Sequence, residues 1–339
     1  MDQAALEQRL RAKIERDSGG ARKLVHFQIM PEGHAGLTFG YASIDGAGHR
    51  QDFILKIAPP GVARRGNTDV YRQGLLLRTL HAAGLAVPDV PMDSDSEDEL
   101  GNPYIVMQCL PGRTFVVWEP HPSFDLGREN VSQIWRQAAT ALAAIHAYEW
   151  RSTLSGWQEL RKLADELAYW PKILDKAQEP RWIEKGRKLA DALERSIPPD
   201  GPVGVIHGDY QPGNVLYDGV RLSGIIDWEL TGIGAQTIDL GWLSMMNDTH
   251  CWQPEYQPVV ALGRGELVAY YEAARGHKVE NLDWFQALAC YRMGSIACLN
   301  VRLHRTGRRI DDMWDRFAPS IDTLFERGFE LCTAPQNQT

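Results

Sequence analysis

The stretch VIHGDYQPGNVLYDGVRLSGIIDWE, residues 205–229, sets His207, Asp209, Asn214, Asp218, Asp227 and Glu229 among apolar runs. VGVI at 203–206 reads as a strand that ends in His-Gly-Asp. NVLY and RLSGIID read as the arms of a hairpin, and the Asp218-Gly219 pair supplies the positive-φ residues such a turn needs. The hairpin is expected to bring Asn214, at its start, near Asp227, at its end. Asp209 precedes Asn214 by five positions across the tight loop YQPG. Asp227 and Asn214 offer hard oxygen atoms of the kind Mg²⁺ takes when substrate phosphates complete its shell. Asp209 stands apart and can accept a proton from a substrate hydroxyl. One base and two metal ligands is the division of labour in phosphoryl transfer. Any one of these residues alone would read as a turn cap. Together they form His-x-Asp-x-x-x-x-Asn with a further Asp thirteen positions on, and the catalytic reading is preferred.

Working outward, 339 residues suffice for two lobes with sizeable cores. A net charge of −8 disfavours a broad nucleic-acid-binding surface. The opening MDQAALEQRLRAKIERD is charged and does not read as a signal peptide, and no apolar run has the length of a membrane span. Cys109, Cys251, Cys290, Cys298 and Cys332 are odd in number and lack CxxC spacing, which points to reduced thiols and a cytoplasmic location. Residues 3–16 read as an amphipathic helix. KLVHFQI, LTFGYASI, QDFILKIA and PYIVMQCL read as strands, with one helix from about 69 to 83 ending at Gly84. Beyond PGR at 111–113 the pattern turns helical: 129–148, 156–177, 180–196, 236–246, 264–275, 281–304 and 311–330.

HGDYQPGN and IIDWE resemble the catalytic and metal loops of the aminoglycoside phosphotransferase family, small-molecule kinases with a protein-kinase-like fold. The C-terminal part, YYEAARGHKVENLDWFQALACYRMGSIACLNVRLHRTG, looks most like the branch of kinase-like phosphotransferases linked to acyl-CoA dehydrogenase domains. The resemblance implies an α+β fold in two lobes. Residues 1–108 would form a nucleotide-covering N-lobe of antiparallel sheet plus helix. Residues 109–339 would form a larger, mostly helical C-lobe with the catalytic loop, metal site and acceptor-binding helices. It implies Asp209 as base, Asn214 and Asp227 as Mg²⁺ ligands, and His207 and Asp239 as supports of the loop. Lys56, inside an apolar strand, would hold the α- and β-phosphates of ATP, with GTP as the alternative nucleotide. Gln73 stands where the family often has Glu; it can hydrogen-bond Lys56 but cannot neutralise it. Gly33 and Gly36 would let backbone amides approach phosphates. Met107 precedes the linker, and backbone groups near Gln108 and Leu110 would meet the adenine.

The implied reaction moves the γ-phosphoryl group of ATP to a hydroxyl of a small molecule. A hydroxylated metabolite such as a hydroxyacyl thioester is preferred over an aminoglycoside-like antibiotic. Glu229, Tyr291 and Arg292 are candidate acceptor contacts, and Arg302, Arg305 and Arg308 are a possible receptor for an anionic tail. No Gly-Lys pair marks a P-loop, no Gly-x-Ser-x-Gly marks a hydrolase elbow, and no segment ending in Ala-Pro-Glu marks a protein kinase. The alternative of another class is a nucleotide-binding pseudokinase that regulates a partner. Intact Asp209, Asn214 and Asp227 stand against it.

Overall fold

A computed structural model describes residues 2–30 and 37–334. Two compact units emerge: Met1–Pro111 with Gly224–Thr231, and Gly112–Ser223 with Gly232–Thr339. The expected boundary at 108/109 thus falls near 111/112, and the segment that carries Asp227 and Glu229 belongs to the first unit.

In the first unit, helix α1 (Gln3–Asp17) is followed by β1 (Arg22–Ile29), β2 (Leu37–Asp45), β3 (Arg50–Ile57), α2 (Arg72–Ala82), β4 (Met92–Ser94) and β5 (Tyr104–Gln108). The strands form one antiparallel sheet of order β1-β2-β3-β5-β4. Asp2 caps α1 by accepting the N–H groups of Ala4 and Ala5. Period-two alternation sends Leu55 and Ile57 to a buried cluster with Phe39, Tyr41, Tyr104 and Val106, closed by Leu6, Leu10 and Ile14 of α1. Lys56, between Leu55 and Ile57, therefore projects from the opposite face. Its ladder partners there are Thr38 and Ile105. Helix α2 lies on that same face, because a Cβ on Gly74 would stand 3.4 Å from the Ile105 side chain. His26 has φ +53°, where the β1–β2 register slips between Val25 and Gln28, a bulge the alternation did not signal.

The second unit is mainly helical. It runs through β6 (Arg113–Thr114), α3 (Arg128–Ala147), α4 (Arg151–Leu154), β7 (Leu160–Arg161), α5 (Leu163–Tyr169), α6 (Pro171–Leu174) and α7 (Pro180–Arg195). Then come β8 (Val203–Ile206), β9 (Val215–Asp218), β10 (Arg221–Ile225), β11 (Gly232–Ala235), α8 (Thr237–Asn247), α9 (Arg264–Arg275), α10 (Leu282–Arg305), α11 (Met313–Phe317) and α12 (Pro319–Thr333). β10 carries the chain back into the first unit at Gly224.

Three expectations are corrected here. The single helices expected over 156–177 and 311–330 are each broken, with Pro171 and Pro319 opening new helices because proline has no N–H to continue the old one. No strand was expected between Asp227 and the helix over 236–246, but GIGA at 232–235 forms β11, antiparallel to β8 and parallel to β7. Glycine is poor strand material, but a Cβ on Gly234 would press to 3.2 Å on the Arg161 carbonyl, so the close approach requires its absence. In the β9–β10 turn only Gly219 has positive φ, not Asp218.

The second unit's core is built on close helix crossings. A Cβ on Gly241 of α8 would stand 2.5 Å from the Phe285 backbone of α10, and backbone cannot yield as a side chain does. Gly241→Ala should therefore force α8 and α10 apart and cost about 1–3 kcal/mol. A fall in the urea midpoint at unchanged slope is the expected result. An unchanged midpoint would show that the crossing tolerates a methyl group.

Candidate active site

In the first unit, β3 presents Lys56, whose Nζ lies 2.8 Å from Oδ1 of Asp227. Both side chains are largely shielded from solvent, at 14% and 33% exposure, so the pair is screened less than a surface pair. Asp227 sits in the left-handed region, φ +63° and ψ +59°, a conformation Asp tolerates better than most side chains. The next residues open a 3₁₀ turn, Trp228–Leu230. Arg72 ties that turn to α2: its guanidinium donates to the carbonyls of Glu229 at 2.7 Å, Thr231 at 3.0 Å and Gly66 at 2.9 Å. Glu229 thus serves this unit through its backbone.

The partner expected for Lys56 is corrected. Lys56 bonds Asp227, while Gln73 is buried with its Nε2 lacking any hydrogen-bond partner. Met107 is buried at the end of β5. The Gln108 N–H is spent on the Asp89 carbonyl at 2.9 Å, and the Leu110 side chain fills the space beside Gly224. A cavity of about 350 Å³ runs along Met30, Gly40, Ile54 and Cys109. Gly40 and Ile54 stand two residues from Thr38 and Lys56, on the same face of the sheet. Gly33 and Gly36 lie outside the described residues.

In the second unit, β8 ends at Ile206 and delivers the His-Gly-Asp turn. Gly208 takes φ +86°, a backbone that side chains other than glycine rarely adopt. One carboxylate oxygen of Asp209 accepts Nε2–H of Gln211 at 2.9 Å and the other accepts Nδ2–H of Asn214 at 2.9 Å. Asn214 also donates to the Asp209 carbonyl at 2.9 Å, which closes the loop. His207 is fully buried, and its Nδ1 accepts the Asp209 N–H at 3.3 Å.

Asp239, at 0% exposure on the first turn of α8, accepts the N–H groups of His207 at 2.7 Å and Gly208 at 2.8 Å. It also accepts Nε2–H of His146 at 3.2 Å. Burial works to raise its pKa, but His146, the nearby His207 and the backbone donor outweigh that, and the carboxyl stays below its usual value. His146 moves down as well, because burial opposes its charge more than Asp239 favours it. A neutral ring fits the partners: Nε2–H faces Asp239, and Nδ1 accepts the hydroxyl of Tyr271 at 2.7 Å. Burial raises the Tyr271 hydroxyl to about 12, so it remains a donor. His146, Tyr271 and Arg72 carried no motif in the sequence. They are recruited from elements remote in the chain, whereas Gln211 lies two positions from Asp209 inside the HGDYQPGN loop.

The expected acceptor contacts on α10 are not cleft-facing. Tyr291 is fully buried with an unpartnered hydroxyl. Arg292, at 2% exposure, donates to the Gly208 carbonyl at 2.7 Å. Residues 284–292 of α10 are buried without a break, because α10 packs against both α8 and α12, so Tyr291 and Arg292 are both enclosed although they point in different directions. Arg305 is ion-paired with Asp315 at 2.7 Å and Glu179 at 3.2 Å, so its charge is already answered.

A family model for the phosphotransferase enzyme family, APH, matches residues 36–277. The chain belongs to this family. Among curated relatives, human acyl-CoA dehydrogenase family member 11 is 24% identical over 298 residues, covering 83% of this chain and 37% of that protein. The chain therefore spans little more than a third of the length of such relatives. A structure from Ralstonia eutropha JMP134, assigned as an aminoglycoside phosphotransferase, superimposes with a TM-score of 0.77 at 17% identity, covering 96% of this chain and 97% of that one. A thermostable mutant of aminoglycoside phosphotransferase APH(4)-Ia, in ternary complex with ADP and hygromycin B, gives a TM-score of 0.60 at 14% identity over 94% of this chain and 98% of that one. The APH fold is kinase-like, with an N-terminal antiparallel sheet and a helical C-terminal region, as the resemblance implied. Among the described residues, no helix is long and apolar enough to cross a membrane.

The His146–Asp239 pair gives this APH chain a pH dependence of fixed sign. Both folded-state pKa values are depressed, so in both cases the unfolded chain binds the proton first on acidification. Their contribution is complete above the unfolded values, about 6.5 for His and about 3.9 for Asp, and is lost as pH falls. The guanidinium midpoint should decline from pH 7 to 5, and His146→Phe should flatten that decline while lowering the midpoint at pH 7. A decline of equal slope in the variant would count against a neutral buried His146.

Proposed function

We propose that the chain transfers the γ-phosphoryl group of ATP to a hydroxyl group of a small molecule. The observation that carries the reading is the Asp209 carboxylate, held by Gln211 and Asn214 at the end of a braced turn. In the step, the acceptor oxygen bonds to the γ-phosphorus. The bond from that phosphorus to the β–γ bridging oxygen breaks, ADP leaves with the electron pair, and the acceptor proton passes to Asp209. Lys56, on the face of the sheet that carries Gly40 and Ile54, would hold phosphate oxygens in exchange for Asp227.

The residues present fit Mg²⁺. Asp227 offers a carboxylate and Asn214 an amide oxygen, both hard donors. Both donors are of the kind Mg²⁺ takes when phosphates complete its shell. When bound, the ion would offset negative charge on the transferring group.

The acceptor is proposed to be a hydroxylated metabolite, with a hydroxyacyl thioester the leading class. The likeness to acyl-CoA dehydrogenase family member 11 supports that class. The ternary complex with ADP and hygromycin B supports nucleotide use, and keeps an aminoglycoside as the acceptor to test against. A screen of ATP-dependent phosphorylation across both classes decides between them; absence of any turnover, with nucleotide still bound, would favour a regulatory binding module.

On the true acceptor, Asp209→Asn should cut kcat by roughly 10²–10⁴-fold and leave ATP affinity nearly unchanged. Wild-type turnover in that variant would refute the base assignment. Because Lys56 is paired with Asp227 and not with α2, bound nucleotide is expected to take over Lys56 and to order α2. Mg-ATP should raise the melting temperature by mass action and slow hydrogen exchange across 69–83. Equal exchange there with and without Mg-ATP would remove α2 from the nucleotide response.

A further inference from the structure

We infer that Arg292 is a positioning residue for the Asp209 loop, acting through the Gly208 carbonyl. The inference rests on Asp209 being the base. Arg292 projects from the middle of α10, 84 positions from Gly208 in sequence, and donates Nη2–H to the Gly208 carbonyl at 2.7 Å. Its guanidinium is sandwiched, with its central carbon 4.9 Å from the Trp242 ring centre and 5.3 Å from that of Trp170. Its Nε lies 3.4 Å from Oε1 of Glu166 without a well-aligned hydrogen bond, and Glu166 is also held by Nε1–H of Trp170 at 3.1 Å.

Such a group is a poor space-filler. Glu166 is its one ion-pair partner among the described residues, and Arg161 lies 3.7 Å from the other oxygen of the same carboxylate. Two guanidinium groups thus approach one carboxylate in a buried place, and burial lowers the pKa of Arg161 although Glu166 opposes the shift. Apolar residues of similar volume would fill the space at lower cost. What only a cation with a long, rigid fork supplies here is the charged hydrogen bond to the loop carbonyl.

That bond acts on one peptide plane. Asp239 holds the N–H groups of His207 and Gly208 from α8, which fixes the two peptides before Gly208. The next peptide contains the Gly208 carbonyl and the Asp209 N–H. Glycine at φ +86° leaves its rotation soft. Arg292 fixes its carbonyl end, and His207 accepts its N–H end at 3.3 Å. The orientation of this plane sets the direction in which the Asp209 carboxylate projects. Release of the carbonyl would let the base swing and would loosen its bonds to Asn214, while Lys56 and Asp227 stay in place.

The test uses Mg-ATP alone, with water as acceptor and phosphate release as the signal, beside melting temperature and ATP affinity. Arg292→Met should lower kcat per folded molecule roughly 10–100-fold, as expected for a base misplaced by about an ångström, with KM for ATP unchanged. Arg292→Lys, which keeps one charged donor, should recover part of the loss. In an Asp209→Asn background the Met substitution should cause little further loss, because the group being positioned is gone. Should Arg292→Met fail to fold, Arg292→Gln, whose amide falls short of the carbonyl, takes its place. A lowered melting temperature with wild-type kcat would reduce Arg292 to a packing residue and overturn the inference. So would an equal fold loss in the Asp209→Asn background. Wild-type turnover in Asp209→Asn alone would sink the base assignment and the inference together, whereas additive losses with Asp209→Asn strongly impaired sink the inference only.

Discussion

A single buried carboxylate organises the second unit. Asp239 is out of contact with water, and an ionised group there must be answered by donors or it would take up a proton. The donors are the His207 and Gly208 N–H groups and the His146 ring. The same bonds that keep Asp239 charged also define the turn that presents Asp209. Helix α3 contributes His146, α9 contributes Tyr271 behind it, and α8 contributes Asp239 itself. The helical packing of this unit can be read as the means of bringing those three together beneath one loop.

The first unit solves a related problem in another way. Lys56 is embedded in an apolar strand and needs an anion, and no acidic residue occupies position 73. Asp227 provides the charge, from a segment that returns to this unit after more than a hundred residues. Its left-handed backbone is sustained by what surrounds it. Arg72 clamps the following carbonyls, and Ile225, just before it, donates its N–H to the Ala86 carbonyl at 2.7 Å. A charged pair and a clamped turn therefore take the place of the hydrogen bond between Lys56 and Gln73 that the sequence allowed.

The loop chemistry was legible because it is local. The separation of Asp209 and Asn214 is short enough that one turn forces their contact, and the structure has that hydrogen bond. Strand alternation around Lys56 was legible for the same reason, since the pleat leaves only two directions. Arg292 was misread because helical spacing says which residues share a stripe but not what the stripe meets. Position 292 reads equally well as a cleft wall or as a buried brace. The strand at 232–235 escaped notice because Gly and Ala carry no strand preference, and only the Arg161 backbone and the Ile206 side chain make a small residue necessary at 234.

The sequence by itself determined the antiparallel sheet with its helix, the mostly helical remainder, the kinase-like family and the identity of the loop residues. All of these depend on contacts between near neighbours or on periodicities of two and about four residues. Only the tertiary structure decided that Lys56 pairs with Asp227, that His146 and Tyr271 stand behind Asp239, and that Arg292 reaches Gly208. Those pairings join residues 171, 93, 125 and 84 positions apart. Each is set by how helices and strands pack and by the need to satisfy buried charge. No local pattern encodes which distant residue will meet that need.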